Sequence, residues 1–486
     1  MALNIQKERL YKSQAYIDGR WVDADNGARE DVFDPATGDK IGDAPFMGAE
    51  EATRAVDAAA AAFPAWKAMT PHERADIMLA WHDLIIENQD ALARIMTAEC
   101  GKPLAQSVGE VVYGAAFIKW FAEEGKRVYG ETIPAKQRDR RIIVTKEPAG
   151  VTAAITPWNF PSACVTRKIA PALAAGCTQV LKPAPDTPYS ALALAALAEE
   201  AGLPAGVLNV VTGDAPAIGG VLTSHDAIRV LTFTGSTPVG KLLAEQCARR
   251  VIKTSLELGG NAPFIVFDDA DLDDAVEEVI ASKFRNSGQT CVCANRILVQ
   301  ASVFDAFAEK LAARVEAFTV GPGDAKEGVD IGPLINAAGF QKVARHVDDA
   351  VAKGATVLTG GAAHPLGGNF YKPTVLAGAH VDMQLAEEET FGPVAPLYRF
   401  DTEEEAVNYA NATRYGLSAY IYTKDLSRAF RVSEALESGM VGVNAGVLSN
   451  EVAPFGGVKE SGIGREGSRH GIEEFVEMKY VHFKIS

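Results

Sequence analysis

The sequence predicts an α/β protein made of two doubly wound α/β domains plus a small β arm suited to oligomerisation. Three observations lead there. The chain has 486 residues, too many for one ordinary core, which as a soft prior means about 2–4 domains. From about residue 150 short apolar strands alternate with helices, and a second such series starts near Asn261. Two further strand-like stretches fit inside neither series.

The first part of the chain reads as helical. Thr70-Pro71-His72-Glu73 is a capping box with proline at the first helical position, and its helix is expected to run to Cys100-Gly101. Ile77, Trp81, Leu84 and Ile85 recur there at helical spacing and give one buried face. VTAAI (151–155), TQVLK (178–182), VLNVV (207–211) and IRVLTF (228–233) read as strands, with helices near 163–175, 189–201 and 239–250. Such a pattern forms a parallel sheet covered on both faces, and sheets of this kind bind ligands beyond the carboxyl ends of their strands.

The second series holds FIVF (264–267), a helix over 271–284, RILVQ (296–300) and another helix. RRIIVTKEP (140–148) and the final KYVHFKIS look like strands with no obvious partner in either unit, which suggests an arm that pairs across subunits. The expected division is 1–125 with 146–257 for the first domain, 258–470 for the second, and 126–145 with 471–486 for the arm.

Composition narrows the function. With 48% hydrophobic and 23% charged residues, the chain is globular rather than disordered. Its net charge of −16 repels nucleic acid and anionic membranes, so an anionic substrate would need local cations. The N-terminus lacks a basic start followed by an apolar run, so no secretory signal is expected. No stretch approaches the roughly 18–20 apolar residues of a membrane span. Six cysteines in a chain this long are no disulfide framework, which points to a reducing, cytoplasmic setting. The eight His residues show no pairing at metal-ligand spacing, and no metal site is expected.

Two motifs mislead. Gly462-Ile463-Gly464-Arg465-Glu466-Gly467 matches GxGxxG, but an irregular Gly-rich stretch precedes it where a dinucleotide fingerprint needs a strand. Gly235-Ser236-Thr237-Pro238-Val239-Gly240-Lys241 matches GxxxxGK, yet Leu242 stands where a P-loop needs Ser or Thr for Mg²⁺, which weighs against a nucleotide hydrolase. The strand–helix setting still suits a phosphate, since the free N–H groups of a helix start bind anions and Ser236 adds a hydroxyl.

Three stretches carry chemistry. In Gly288-Gln289-Thr290-Cys291-Val292-Cys293, Cys291 sits in a polar segment after a helix. Most lone cysteines are small buried hydrophobes, but this setting suits a reachable thiol, and CVC is too short for a redox CxxC or a zinc knuckle. In Leu256-Glu257-Leu258-Gly259-Gly260, an acid between leucines has a raised pKa and can serve as a general base; a solvated strand end is the alternative. In Thr156-Pro157-Trp158-Asn159-Phe160-Pro161, flanking prolines fix the loop and aim Asn159, whose amide can stabilise an oxyanion; a turn asparagine is the alternative. None of these decides alone.

Together they closely resemble the aldehyde dehydrogenase superfamily. TPWNFP (156–161), the lysine of VLKPA (Lys182), FTGS (233–236), LELGG (256–260), GQTC (288–291), ETFGP (389–393) and PFGG (454–457) stand in the family's order, from about Tyr16 onward. The resemblance implies a cofactor-binding first domain, a catalytic second domain, and a homodimer or homotetramer. It implies that Cys291 attacks the aldehyde, that the Asn159 amide and the Cys291 N–H hold the oxyanion, and that Glu257 activates water to hydrolyse a thioester. For the cofactor it implies Thr156 and Trp158 in the loop, Lys182 on the adenosine ribose, Gly235 and Ser236 at the pyrophosphate, and Glu389 with Phe391 at the nicotinamide riboside.

Within the superfamily, residues 159–177, 284–296 and 439–468 are most similar to succinate-semialdehyde dehydrogenases. By that likeness Arg167, Arg285 and Ser449 hold the substrate carboxylate, with Phe455 beside it, which supplies the cationic clamp that an acidic protein needs. Glutarate semialdehyde, one methylene longer, is the alternative, and a broad-specificity aldehyde dehydrogenase the next. The family's acid or serine three residues after the ribose lysine is Pro185 here, so both NAD and NADP are expected to serve, with a lean toward NADP. Cys293 is a candidate redox partner of Cys291. A CoA-acylating enzyme is disfavoured because that branch generally lacks the base that Glu257 supplies, and a silent binding protein because Cys291, Glu257 and Asn159 are all present.

Overall fold

The computed structural model describes residues 5–325 and 328–485. Among these the strands form four sheets. In the first, Lys253–Glu257, Ile228–Thr234, Val151–Ile155, Thr178–Lys182 and Leu208–Val210 run parallel. Its edges are antiparallel: Gly462–Ile463 on one side, Ala15–Ile17 and Arg20–Val22 on the other. Side-chain alternation buries both faces. Ala154, Leu181 and Val230 enter a core with the helices Pro71–Glu87, Leu104–Glu124, Ala163–Ala175 and Pro188–Glu200. Their neighbours Ala153, Val180 and Leu231 enter another, with Ala49–Ala68 and Thr237–Ala248.

The second sheet orders Thr356–Thr359, Thr374–Ala377, Val394–Phe400, Ala294–Gln300, Ala262–Val266, Ser418–Tyr422 and Met440–Val443, and only its first pair is antiparallel. It too is doubly covered: Ile265, Leu298 and Ile421 face one core, Phe264, Ile297 and Tyr420 the other. The two doubly wound sheets of the sequence reading are both present. No helix among the described residues is long and apolar enough to cross a membrane.

Three expectations need correction. The first part of the chain is not simply helical: Ala15–Ile17 and Arg20–Val22 extend the first sheet, and Arg29–Phe33 pairs with Lys40–Pro45 in a hairpin. Strands this short have no readable period, and pairing such as Tyr16 against Val210 defines them. The capping box at Thr70 forms, with Glu73 N donating to Thr70 Oγ1 at 3.2 Å and Thr70 N to Glu73 Oε2 at 2.7 Å. Its helix nevertheless stops at Glu87, and Gln89–Cys100 is a separate helix. Asn88 breaks the run, its amide donating to Leu84 O at 2.8 Å, the local competition that makes asparagine a poor helix residue.

Third, Arg140–Pro148 and Val476–Lys484 do have a partner within the chain: each other. They pair antiparallel from Val476 opposite Pro148 to Lys484 opposite Arg140, with Glu131–Ile133 on the far side of Arg140–Pro148. More than 300 residues of intervening chain conceal this pairing from local reading.

Candidate active site

In the first sheet the chain passes from Val151–Ile155 outward through Thr178–Lys182 and Leu208–Val210, then crosses back to place Ile228–Thr234 on the other side of Val151–Ile155. A crevice opens at such a switch point, beyond the carboxyl ends of the strands. The loops that leave there are 156–161 and 235–236, and the cavity they help to line, about 400 Å³, extends to Cys291 and Phe391 on segments that enter the second sheet, and to Phe455 on the segment that leaves it. Cys291, Glu257, Asn159, Trp158, Gly235, Ser236, Glu389, Phe391, Arg167, Arg285, Ser449 and Phe455 all border it. Lys182, Pro185 and Thr156 do not.

Cys291 precedes the strand Ala294–Gln300 on a strained segment. Asn286 and Ser287 are left-handed, at φ 50° and 57°, a conformation that persists only where the surroundings fix it. Here they do: Gln106 Oε1 accepts from Asn286 N at 2.8 Å, Ser287 Oγ donates to Gly332 O at 2.9 Å, and Gln289 Oε1 accepts from Ile335 N at 2.9 Å. Burial, with the nearby Glu389 carboxylate, pushes the Cys291 thiol up. The resting sulfur is therefore protonated and must give up its proton as it attacks. Cys293 is buried and turned elsewhere, its Sγ 3.4 Å from Gly288 O and 3.6 Å from Lys283 Nζ.

Glu257 closes the strand Lys253–Glu257 and is only 2% exposed. Neither carboxylate oxygen has a hydrogen-bond partner among the described residues. Burial, and then the Glu466 carboxylate, hold its pKa well above the ordinary carboxylate range, the state of a base poised to take a proton. Glu466 stays ionised although burial opposes it, because Lys168 lies at 2.5 Å and Arg167 at 3.0 Å. Glu466 was not legible in the sequence, where it sits inside the misleading GxGxxG. Gly462 of that motif belongs to a strand that packs on the strand of Glu257, where a Cβ would lie 2.1 Å from Leu256 O.

Asn159 is gripped from three sides. Its Nδ2 donates to Gln289 O at 3.0 Å, and its carbonyl accepts from Lys102 Nζ at 2.7 Å and Asn286 Nδ2 at 3.0 Å. Lys102 is ion-paired with Glu110, and both side chains are 1% exposed. Glu110 Oε1 in turn accepts from Ser162 N and Ala163 N, at 2.9 and 3.2 Å, where the helix Ala163–Ala175 begins. Sequence reading missed this pair, whose members lie far from the loop they hold. Removing one partner of a buried ion pair costs about 3–5 kcal/mol, so Lys102→Met is expected to lower the urea unfolding midpoint sharply. Lys102→Met with Glu110→Gln should recover part of the loss, a coupling that a double-mutant cycle measures.

The residues matched to a cofactor lie along the same carboxyl edge. Ser236 is exposed and makes no side-chain cap at the start of Thr237–Ala248, which leaves N–H groups free for an anion. Trp158 meets Phe391 edge to face, with centroids 5.4 Å apart. Glu389 Oε1 accepts from Gly260 N at 3.1 Å, and burial pushes its carboxyl up to about 7. Thr156 N donates to Lys182 O at 3.1 Å, and its buried hydroxyl has no partner among the described residues. Burial lowers the Lys182 ammonium, while Glu30 and Asp214 pull it back up. Pro185 borders a neighbouring groove of about 360 Å³ with Glu30 and Asp186.

Arg167, on the helix Ala163–Ala175, is held between aromatic rings, 3.9 Å from Phe455 and 5.3 Å from Phe117. Arg285 lies 5.3 Å from the Phe160 ring. The Nε atoms of both arginines are buried without a partner among the described residues. Tyr113, also absent from the sequence reading, faces the same space.

The chain matches the aldehyde dehydrogenase family over residues 21–481. It is 59% identical over 479 residues to the NADP⁺-dependent succinate-semialdehyde dehydrogenase GabD of Escherichia coli K12, covering 99% of each chain. It is 58% identical to a glutarate-semialdehyde dehydrogenase of Pseudomonas aeruginosa, again over 99% of each. Among solved structures, it superposes on succinate-semialdehyde dehydrogenase from Burkholderia pseudomallei with a TM-score of 0.97, at 59% identity and 98% coverage of both chains.

Proposed function

The chain belongs to the aldehyde dehydrogenase family, and we propose that it oxidises a short carboxylated aldehyde, succinate semialdehyde first, to the dicarboxylic acid. One observation carries the reading: the cavity that holds Cys291 and Glu257 is also bordered by Arg167 and Arg285, whose buried Nε donors have no partner among the described residues.

In this reading Cys291 attacks the carbonyl carbon, its proton leaving to water in the cavity, and the oxyanion is held by the Asn159 amide and the Cys291 N–H. Bound NAD(P)⁺ supplies the hydride acceptor that leaves a thioester on Cys291. Glu257 then takes a proton from water, which adds to the thioester, and the Cys291 sulfur departs and is reprotonated. Arg167, Arg285 and Ser449 bind the far carboxylate, with Phe455 packed against the arginine.

The residues present fit the cofactor. The free helix start at Ser236 beside Gly235 suits the pyrophosphate, Glu389 and Phe391 the riboside, and Lys182 the adenosine ribose, with Thr156 and Trp158 lining the path. Pro185 itself brings no carboxylate against a 2′-phosphate, though Glu30 and Asp186 border the same groove; both NAD⁺ and NADP⁺ serve, with NADP⁺ favoured, as in the name of the relative GabD. Residues 1–125 with 146–257 form the cofactor domain, 258–470 the catalytic domain, and 126–145 with 471–486 the arm of a homodimer or homotetramer. The six free cysteines suit a cytoplasmic setting. Cys293 can act as a redox partner of Cys291 only after leaving Lys283 and Gly288.

Initial rates with succinate semialdehyde, glutarate semialdehyde and butanal, each with NAD⁺ and NADP⁺, test this. One methylene discriminates by only about 1–3 kcal/mol, so the two semialdehydes should both be oxidised. Charge-assisted hydrogen bonds contribute about 1.5–3 kcal/mol, so Arg167→Ala or Arg285→Ala should raise KM for either semialdehyde by about 10–100-fold. Butanal oxidised as efficiently as the semialdehydes would remove the clamp and leave a general aldehyde dehydrogenase.

A further inference from the structure

Tyr113 lies on the helix Leu104–Glu124, four residues before Phe117. At that spacing an aromatic pair normally means core, and the rings do meet, edge to face at 5.0 Å. The phenolic oxygen, however, is buried; the Ser449 side chain lies near enough to accept from it, but no well-formed hydrogen bond joins it to that or any other partner among the described residues. A buried donor left unpaired is costly, and natural proteins rarely keep one without a reason. This one is not isolated. It borders the active-site cavity together with Arg167, Arg285 and Ser449, and Phe117 links it to Arg167, lying 5.3 Å from the guanidinium.

Among the described residues the acceptors near this cluster are few, Ser449 beside the phenol and Glu466 beside Arg167. Arg167 Nε and Arg285 Nε are also buried without partners among the described residues. Arg167 Nη2 lies 3.0 Å from Glu466 Oε2, but without hydrogen-bond angles, and Glu466 is already committed to Lys168. Four buried donor atoms therefore belong to residues that border the cavity of Cys291. A carboxylate, with two oxygens and about four lone-pair sites, matches that set. The methyl end of an uncharged aldehyde would leave every donor unpaired. Burial raises the phenol's pKa, so it keeps its proton and can donate.

We infer that Tyr113 completes the anion clamp, donating its phenolic hydrogen to the terminal carboxylate of the substrate, and that it thereby sets the preference for carboxylated over uncharged aldehydes. The inference rests on the carboxylate-binding reading of the site and adds to it a substrate-binding residue on a third element.

Tyr113→Phe removes only the oxygen. The quantity to measure is the ratio of kcat/KM for succinate semialdehyde to that for butanal, in wild type and variant. Loss of one hydrogen bond to a charged acceptor should lower that ratio by about 10–100-fold, through KM for the semialdehyde. A global packing defect would depress both substrates together and leave the ratio in place, which would overturn the inference, as would unaltered kinetics with both. If wild type itself shows no preference for succinate semialdehyde over butanal, the carboxylate reading fails first and this inference falls with it.

Discussion

Cys291→Ala is expected to abolish aldehyde oxidation, lowering kcat/KM by about 10⁴-fold or more, the scale on which enzymes lose a covalent nucleophile. A second thiol, Cys164, borders the same cavity, so the expectation is not trivial. Cys164 lies inside the helix Ala163–Ala175, where its backbone N–H is spent on Phe160 O at 2.9 Å. Burial pushes both thiols up, so position rather than protonation separates them. Cys291 instead sits on a loop fixed by Gln289, Asn286 and Ser287, next to the amide of Asn159. Steady-state formation of reduced cofactor, with circular dichroism to verify folding, checks this. Cys164→Ala should keep most of the wild-type rate, and the opposite ranking would reassign the nucleophile.

Glu257→Gln is expected to lower kcat by about 10²–10⁴-fold, the usual contribution of a positioned general base. The change is isosteric and removes only the ability to take a proton from water. The variant should therefore release up to one equivalent of reduced cofactor per site and then nearly stop, with the acyl group still on Cys291. The pH dependence follows from the same environment. Burial and Glu466 disfavour the charged form of Glu257, so it remains protonated above the usual carboxylate pKa of about 4.3. A protonated carboxyl cannot accept the water proton. Activity of the wild type should thus fall as pH drops through the raised Glu257 pKa, and Glu257→Gln should lose that acid limb. A limb at the ordinary carboxylate position would mean that the base is more solvated than its surroundings imply.

The parts of this molecule legible in the sequence are those written over short distances. The strand–helix alternation marked both doubly wound sheets, because buried parallel strands are continuous apolar runs. Cys291, Glu257 and Asn159 stood out because each is a polar residue in a short segment whose glycines, prolines or leucines make it conspicuous, and the structure brings all three to one cavity. What was hidden depends on distant segments meeting. Glu466 reaches Arg167 and Lys168 across nearly 300 residues. Lys102 and Glu110 look like ordinary surface charges on and before a helix, and only the fold shows that they hold the Asn159 loop. Tyr113 reads as a core aromatic until the isolation of its hydroxyl is seen. The break at Asn88 was concealed by good apolar spacing on either side, and the two arm strands by their separation along the chain.

The most direct test of a thioester on Cys291 is mass spectrometry of Glu257→Gln after mixing with succinate semialdehyde and NADP⁺. The expected result is a protein heavier by one succinyl group, located by digestion on the peptide that contains Cys291 and removed by hydroxylamine. Reduced cofactor formed without any such adduct, or a succinyl group on Cys164 instead, would contradict it.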